Sequence, residues 1–147
     1  MKVFRVKNSF IDVEPLEPTV NHKGDAGMDF YALLDYVIKP NHWAIILTGY
    51  GVIIPEGYVG LLKPKGRNNH LIGSGVVDSN YRGEILFKVW NTFEYDMVIR
   101  RGDAIGQMII LKCLDPDPIE EIDLSEVDET NRGATGGIVD QGIEKWD

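Results

Sequence analysis

Runs rich in β-branched and aromatic residues, each stopped by turn chemistry, govern what this chain can fold into. VFRV at 3–6, YVIKP at 36–40, WAIILTGYGVII at 43–54, YVGLLKP at 58–64, EILFKVW at 84–90 and AIGQMIILKCL at 104–114 read as strands. Between them stand Lys39-Pro40-Asn41, Pro55-Glu56-Gly57, Arg82-Gly83 and Arg101-Gly102-Asp103. Such combinations supply the fixed or positive φ angles and local hydrogen bonds of tight turns. Arg101-Gly102-Asp103 is therefore read as a hairpin turn, not as an adhesion tripeptide. No stretch has the apolar period of an amphipathic helix; the best candidate, Leu124 to Glu129, is too short and too acidic to be more than a turn. Short strands and turns at regular intervals predict an all-β sandwich or barrel. Within 84–90, Ile85, Phe87 and Val89 form one wholly apolar face, while Leu86, Lys88 and Trp90 form a mixed face suited to another subunit.

A chain of 147 residues suffices for one sizeable core. The strand pattern breaks at Asp115-Pro116-Asp117-Pro118, and an acidic stretch then leads to Asn131-Arg132-Gly133-Ala134-Thr135-Gly136-Gly137. The expected organisation is a β-barrel core over 1–114 and a C-terminal arm over 115–147. No apolar run approaches the roughly 20 residues of a membrane-spanning helix. Fifteen basic against twenty-three acidic residues give a net charge of −8, which opposes a nucleic-acid backbone. A small polyphosphate remains open, since local cations, backbone N–H groups and a divalent ion can neutralise it. The start, MKVFRVKNSF, mixes charges into its apolar residues, so no secretory leader is expected. The single cysteine, Cys113, fits a reducing compartment, the cytoplasm, and its flanks IILKCL suggest a buried strand thiol.

Several segments join glycine to a charged residue at a strand end. In Ala26-Gly27-Met28-Asp29-Phe30-Tyr31-Ala32, Asp29 either caps a loop entering a strand or serves a site. Lys63-Pro64-Lys65-Gly66-Arg67-Asn68-Asn69 is either a solvated basic hairpin or a phosphate cradle. Gly73 to Glu84, GSGVVDSNYRGE, ends an apolar strand in a carboxylate and follows it with an aromatic ring. That arrangement suits either a plain hairpin or a general base beside a sugar-like ligand. His22, His42 and His70 make no zinc-ligand spacing, and neither a GxxxxGK[ST] phosphate loop nor a GxSxG elbow occurs.

Taken together, AGMDFYA, PKGRNN, GVVDSNYRGEI, GDAIGQ and RGATGG resemble, in order, the five signature motifs of the dUTPases. The resemblance spans nearly the whole chain. It implies a distorted β-barrel or jelly roll with a flexible C-terminal arm, and hydrolysis of dUTP to dUMP and pyrophosphate. Asp78 matches the carboxylate that activates the attacking water, and Gln107 the glutamine near that water and the phosphates. Tyr81 matches the ring packed under the deoxyribose, and the backbone of Gly75, Val76 and Val77 the uracil-reading hairpin. Asp29 matches the aspartate that holds hydrated Mg²⁺, the implied cofactor. Arg132 matches the arginine of a flap that includes Gly136 and closes over the triphosphate. The family assembles as homotrimers with shared active sites.

Two departures from the pattern carry chemistry. Where the second motif usually has a hydroxyl, this chain has Lys65, Gly66 and Arg67, so either cation can meet phosphate and Gly66 can offer its N–H. Where the fifth motif usually has an aromatic ring over uracil, this chain has Ile138, which predicts weaker flap closure. The alternatives on the same fold are a dCTP deaminase-like enzyme and a non-catalytic nucleotide sensor; turnover separates the sensor from the enzymes.

Overall fold

The computed structural model describes residues 1–114, 119–123 and 125. Among these, ten strands occur and no α-helix: β1 (Lys2–Arg5), β2 (Gly27–Tyr31), β3 (Tyr36–Ile38), β4 (Trp43–Ile53), β5 (Tyr58–Lys63), β6 (Leu71–Ile72), β7 (Gly75–Val77), β8 (Glu84–Trp90), β9 (Met97–Ile99) and β10 (Ala104–Lys112). All lie in the compact unit Met1–Asp115. The arm over 115–147, including the turn expected at Leu124 to Glu129, falls mostly or wholly outside the described residues.

Every pairing is antiparallel. One sheet runs β1-β4-β8-β6, a second β2-β10-β5-β7, and β3 with β9 makes a two-stranded ribbon. The two larger sheets bury their facing sides, as the alternation in β8 requires: Ile85, Phe87 and Val89 are buried, with Ile46 and Val52 of β4, Phe30 of β2 and Met108 of β10. Phe87 meets Phe30 across the interior at a centroid distance of 6.0 Å and a 49° tilt. Gly106, at a bulge in β10, lies flat against the Phe87 ring and has no room for a Cβ. Asn91, fully buried, donates to the carbonyls of Ile38 and Tyr95 and accepts from the Phe93 N–H, so its amide ties the β8 end to the ribbon.

The outward face of β4 and β8 is apolar except for Lys88. Trp43 lies opposite Trp90, Leu47 opposite Leu86, and Leu71 of β6 opposite Trp90. Trp43, Ile45, Leu71, Leu86 and Trp90 all remain exposed, with Lys88 Nζ 4.6 Å from the Trp43 ring centroid. No helix among the described residues is long and apolar enough to cross a membrane.

Three local expectations are corrected. Of the two readings of AGMDFYA, the loop entering a strand with Asp29 as its turn cap is excluded: Asp29 lies inside β2, because Gly27 to Tyr31 pairs with β10 and Asp29 bridges Thr19 on its other side. The turn near residue 82 falls at Ser79-Asn80, where the Tyr81 N–H returns to the Asp78 carbonyl, and Arg82-Gly83 leads straight into β8. Cys113 is exposed: β10 stops at Lys112, and the thiol lies beyond the covered part of the sheet.

Candidate functional site

Asp29 and Gln107 face each other across β2 and β10, and Gln107 is paired on its other side with Lys63, two residues before Lys65. Strand register alone thus delivers a carboxylate, an amide and the 64–69 loop to one patch. They line a cleft of about 760 Å³ whose walls include Asn21, Asp29, Lys65, Arg67 and Gln107. Alternation places Met28 and Met108 toward the core and Asp29 and Gln107 on the opposite face, beneath the 19–26 segment.

Asp29 is 5% exposed and therefore needs partners. Its Oδ2 accepts from Asn21 Nδ2 at 2.7 Å and from the Lys65 ammonium, itself largely covered. Thr19 and Tyr31 hydroxyls bond to each other alongside. Lys65 is thus committed to Asp29, whereas Arg67 is exposed on the cleft wall and makes no ion pair among the described residues. Gln107 donates through Nε2 to the Pro64 carbonyl at 3.0 Å, and its side chain lies over Gly27, where a Cβ would displace it. Gly66 is exposed with open space around its Cα.

The residues expected to read the base and sugar form a separate cleft of about 240 Å³, lined by Leu62, Gly75, Val76, Val77, Tyr81 and Glu84 among others. β7 is an edge strand, bonded on one side to β5, so the backbone groups of its other side have no strand partner. Tyr81 is 41% exposed, its hydroxyl donates to the Glu84 carbonyl at 2.8 Å, and its ring folds over Gly83, which has no space for a side chain. Arg82 donates to the carbonyls of Ser79 and Tyr81, fastening the same loop. Asp78 follows β7 directly and is exposed.

The two clefts stand apart within one chain. Val77 is level with Gly60, whereas Gln107 is level with Lys63. Asp78, one residue further on, lies about 13 Å along the strands and about 10 Å across two strand spacings from Gln107. Asp29, Lys65, Arg67 and Gln107 come together; Gly75, Val76, Val77 and Tyr81 come together; Asp78 joins the second group. Arg132, Gly136 and Ile138 lie outside the described residues.

For a divalent ion, no group of three or more His, Cys, Asp or Glu among the described residues forms a metal cage. Asp29 retains Oδ1 beside the Oδ2 held by Asn21 and Lys65. One free carboxylate oxygen on a cationic wall fits Mg²⁺ that arrives with phosphate ligands and keeps its waters, and does not fit an ion held by protein alone. Two residues escaped sequence reasoning: Asn21, which carried no motif, and Glu84, which stood inside a motif without a role.

Antiparallel strands throughout, with a charged cleft on one sheet face and a smaller cleft at that sheet's edge, define an all-β protein built to hold a small anionic ligand. The dUTPase family model matches residues 16–137, and the chain belongs to that family. It is 31% identical over 147 residues to a mitochondrial deoxyuridine 5′-triphosphate nucleotidohydrolase of Dictyostelium discoideum, covering 97% of this chain and 79% of the relative. The Corynebacterium glutamicum deoxyuridine 5′-triphosphate nucleotidohydrolase is 37% identical over 135 residues, covering 86% of this chain and 91% of the relative. Among solved structures, a Staphylococcus bacteriophage 80alpha dUTPase variant with dUpNHpp superposes with a TM-score of 0.77 at 25% identity, covering 90% of this chain and 93% of the other.

Proposed function

We infer that this protein hydrolyses dUTP to dUMP and pyrophosphate. The observation that carries the reading is the gathering of Asp29, Lys65, Arg67 and Gln107 in one cleft, and of Gly75 to Val77 with Tyr81 in another, in a chain of the dUTPase family. The free edge of β7 offers alternating N–H and C=O groups to the edge of uracil, where a cytosine amino group would meet a donor. The Tyr81 ring lies under the deoxyribose and leaves no room for a 2′-hydroxyl. Arg67 and the Gly66 N–H take phosphate oxygens, since the Lys65 ammonium is held by Asp29. Arg132, Gly136 and Ile138 of the arm then cover the triphosphate and base.

Asp78 accepts a proton from water, the oxygen attacks the α-phosphorus, and the bond to the bridging oxygen of the β-phosphate breaks as pyrophosphate leaves. Gln107 holds the water and an α-phosphate oxygen by its amide. Mg²⁺, when bound, neutralises phosphate charge, with Asp29 holding its waters. Reacting atoms must approach to about 3–3.5 Å, so the Asp78 that serves one Gln107 comes from a neighbouring subunit. The assembly is a homotrimer with shared sites, for which the apolar face around Trp43, Leu86 and Trp90 supplies contact area. The enzyme works in the cytoplasm on free nucleotide, its charge of −8 disfavouring nucleic acid.

The test is pyrophosphate release from dUTP, dCTP, dTTP and UTP by the purified protein, with Mg²⁺ and with EDTA. Release from dUTP alone, abolished by EDTA, is expected; binding of dUTP with no release from any nucleotide would overturn the enzymatic reading in favour of a sensor.

A further inference from the structure

Tyr81 stands on a loop, and a ring that excludes one hydroxyl group must be held to a fraction of an ångström. The side chain itself is fixed by one hydrogen bond, from its hydroxyl to the carbonyl of Glu84. The residue that carries that carbonyl is held to β4 twice, by its backbone, which is level with Gly51 in the ladder, and by its side chain. Glu84 begins β8, and its Oε1 accepts from both the Thr48 N–H, at 3.0 Å, and the Gly49 N–H, at 2.7 Å. These two amides belong to the irregularity in β4 between Leu47 and Gly51, where the ladder with β8 is interrupted and neither is spent on strand pairing. Thr48 Oγ1 returns a bond to the Ile85 carbonyl at 2.7 Å, so the start of β8 and the β4 bulge are clasped from both sides. Gly49 accepts the Val6 N–H on its carbonyl, and Pro15 stands where a side chain on Gly49 would lie, so the bulge is closely packed.

We propose that Glu84 is the positioning residue for Tyr81: its carboxylate, seated on the two bulge amides, fixes the carbonyl that holds the Tyr81 ring, and so sets discrimination between deoxyribose and ribose substrates. The proposal rests on the reading of Tyr81 as the sugar-packing ring. Glu84 touches no reacting atom; it acts through Tyr81. A carboxylate is not required for its charge, since a single oxygen accepts both amides and a glutamine carbonyl can do the same.

The experiment compares kcat/KM for dUTP and UTP in the wild type, Tyr81→Ala, Glu84→Ala and Glu84→Gln, each checked for thermal unfolding and assembly. Tyr81→Ala lowers the dUTP-to-UTP ratio if Tyr81 reads the sugar; an unchanged ratio there overturns the underlying reading. With that established, Glu84→Ala is expected to lower the ratio at least about tenfold, because an ångström of misplacement is worth up to about 100-fold. Glu84→Gln keeps the wild-type ratio. A wild-type ratio in folded Glu84→Ala overturns the proposal, as does a Glu84→Gln ratio as low as that of Glu84→Ala. If Glu84→Ala does not fold, Glu84→Asp, one methylene short of the amides, is read in its place with the same two outcomes.

Discussion

Lys65 and Asp29 form an ion pair with 17% and 7% side-chain exposure, and its partners are unequal in what their loss leaves behind. Lys65→Met strands a carboxylate with only the Asn21 amide for company, and should lower unfolding free energy in urea by about 3 kcal/mol. Asp29→Asn combined with Lys65→Met removes both charges and should recover most of that loss, while phosphate-dependent turnover stays impaired. Asp78 is exposed at the end of β7, so the proposed general-base role can be tested there with little cost in packing. Asp78→Asn should keep affinity for a non-hydrolysable dUTP analogue, measured by calorimetry, and lower kcat by about 10²- to 10⁴-fold. Tyr36 titrates differently: burial pushes its phenol above the ordinary 10.0, the Glu84 charge adds to this, and the Leu47 N–H bond opposes it. A folded pKa above the unfolded one leaves its stabilisation whole below the unfolded pKa and removes it as pH rises through the folded value. Urea midpoints should therefore fall in the alkaline range above the ordinary phenol pKa. Tyr36→Phe should flatten that fall, at the cost of the bond to Leu47.

At the scale of strands, the register of β2 and β10 brings Asp29 and Gln107 together, and Gly27 leaves the space in which the Gln107 side chain lies. Gly27→Ala should swing that amide off the Pro64 carbonyl and lower kcat for dUTP by more than it lowers the melting temperature. The measurement is steady-state kinetics beside calorimetry. Strands of this length explain what could be read beforehand. β8 announced itself because Ile85, Phe87 and Val89 alternate over seven residues, and the buried face is the one that alternation marks. β6 and β9, of two and three residues, offer no period to detect. The residues around Asp29 left both a turn cap and a site role open because its partners, Asn21 and Lys65, are distant in sequence and nothing local ties them to it. Glu84 was visible as a letter in a motif, but its side chain is seated on two amides 35 and 36 residues away. Cys113 carried an apolar neighbourhood past the point where the sheet ends, so composition overstated its burial.

Across the whole molecule, the roles proposed for Asp78 and Gln107, which stand apart within one chain, predict that activity belongs to an assembly of subunits. Two inactive variants, Asp78→Asn and Gln107→Ala, should regain dUTP turnover when unfolded together and refolded as a mixture, since hybrid assemblies contain sites with both native residues. A mixture as inactive as its components would mean that each subunit carries its own site. Leu86→Asp with Trp90→Asp should yield monomers by light scattering and remove turnover while the fold persists in circular dichroism, because both side chains are exposed on the outer sheet face. The order of the second sheet, β2-β10-β5-β7, carries one more consequence. Its central strand β10 is the last of the ten to be synthesised, and it pairs with strands that precede it by as many as eight elements. On a ribosome, β2 and β5 emerge with open edges and wait for residues 104–112 to leave the exit tunnel before either can close. Slowing translation ahead of residue 104 would prolong that exposure, so the yield of soluble protein should depend on codon speed there more than on codon speed upstream of β5.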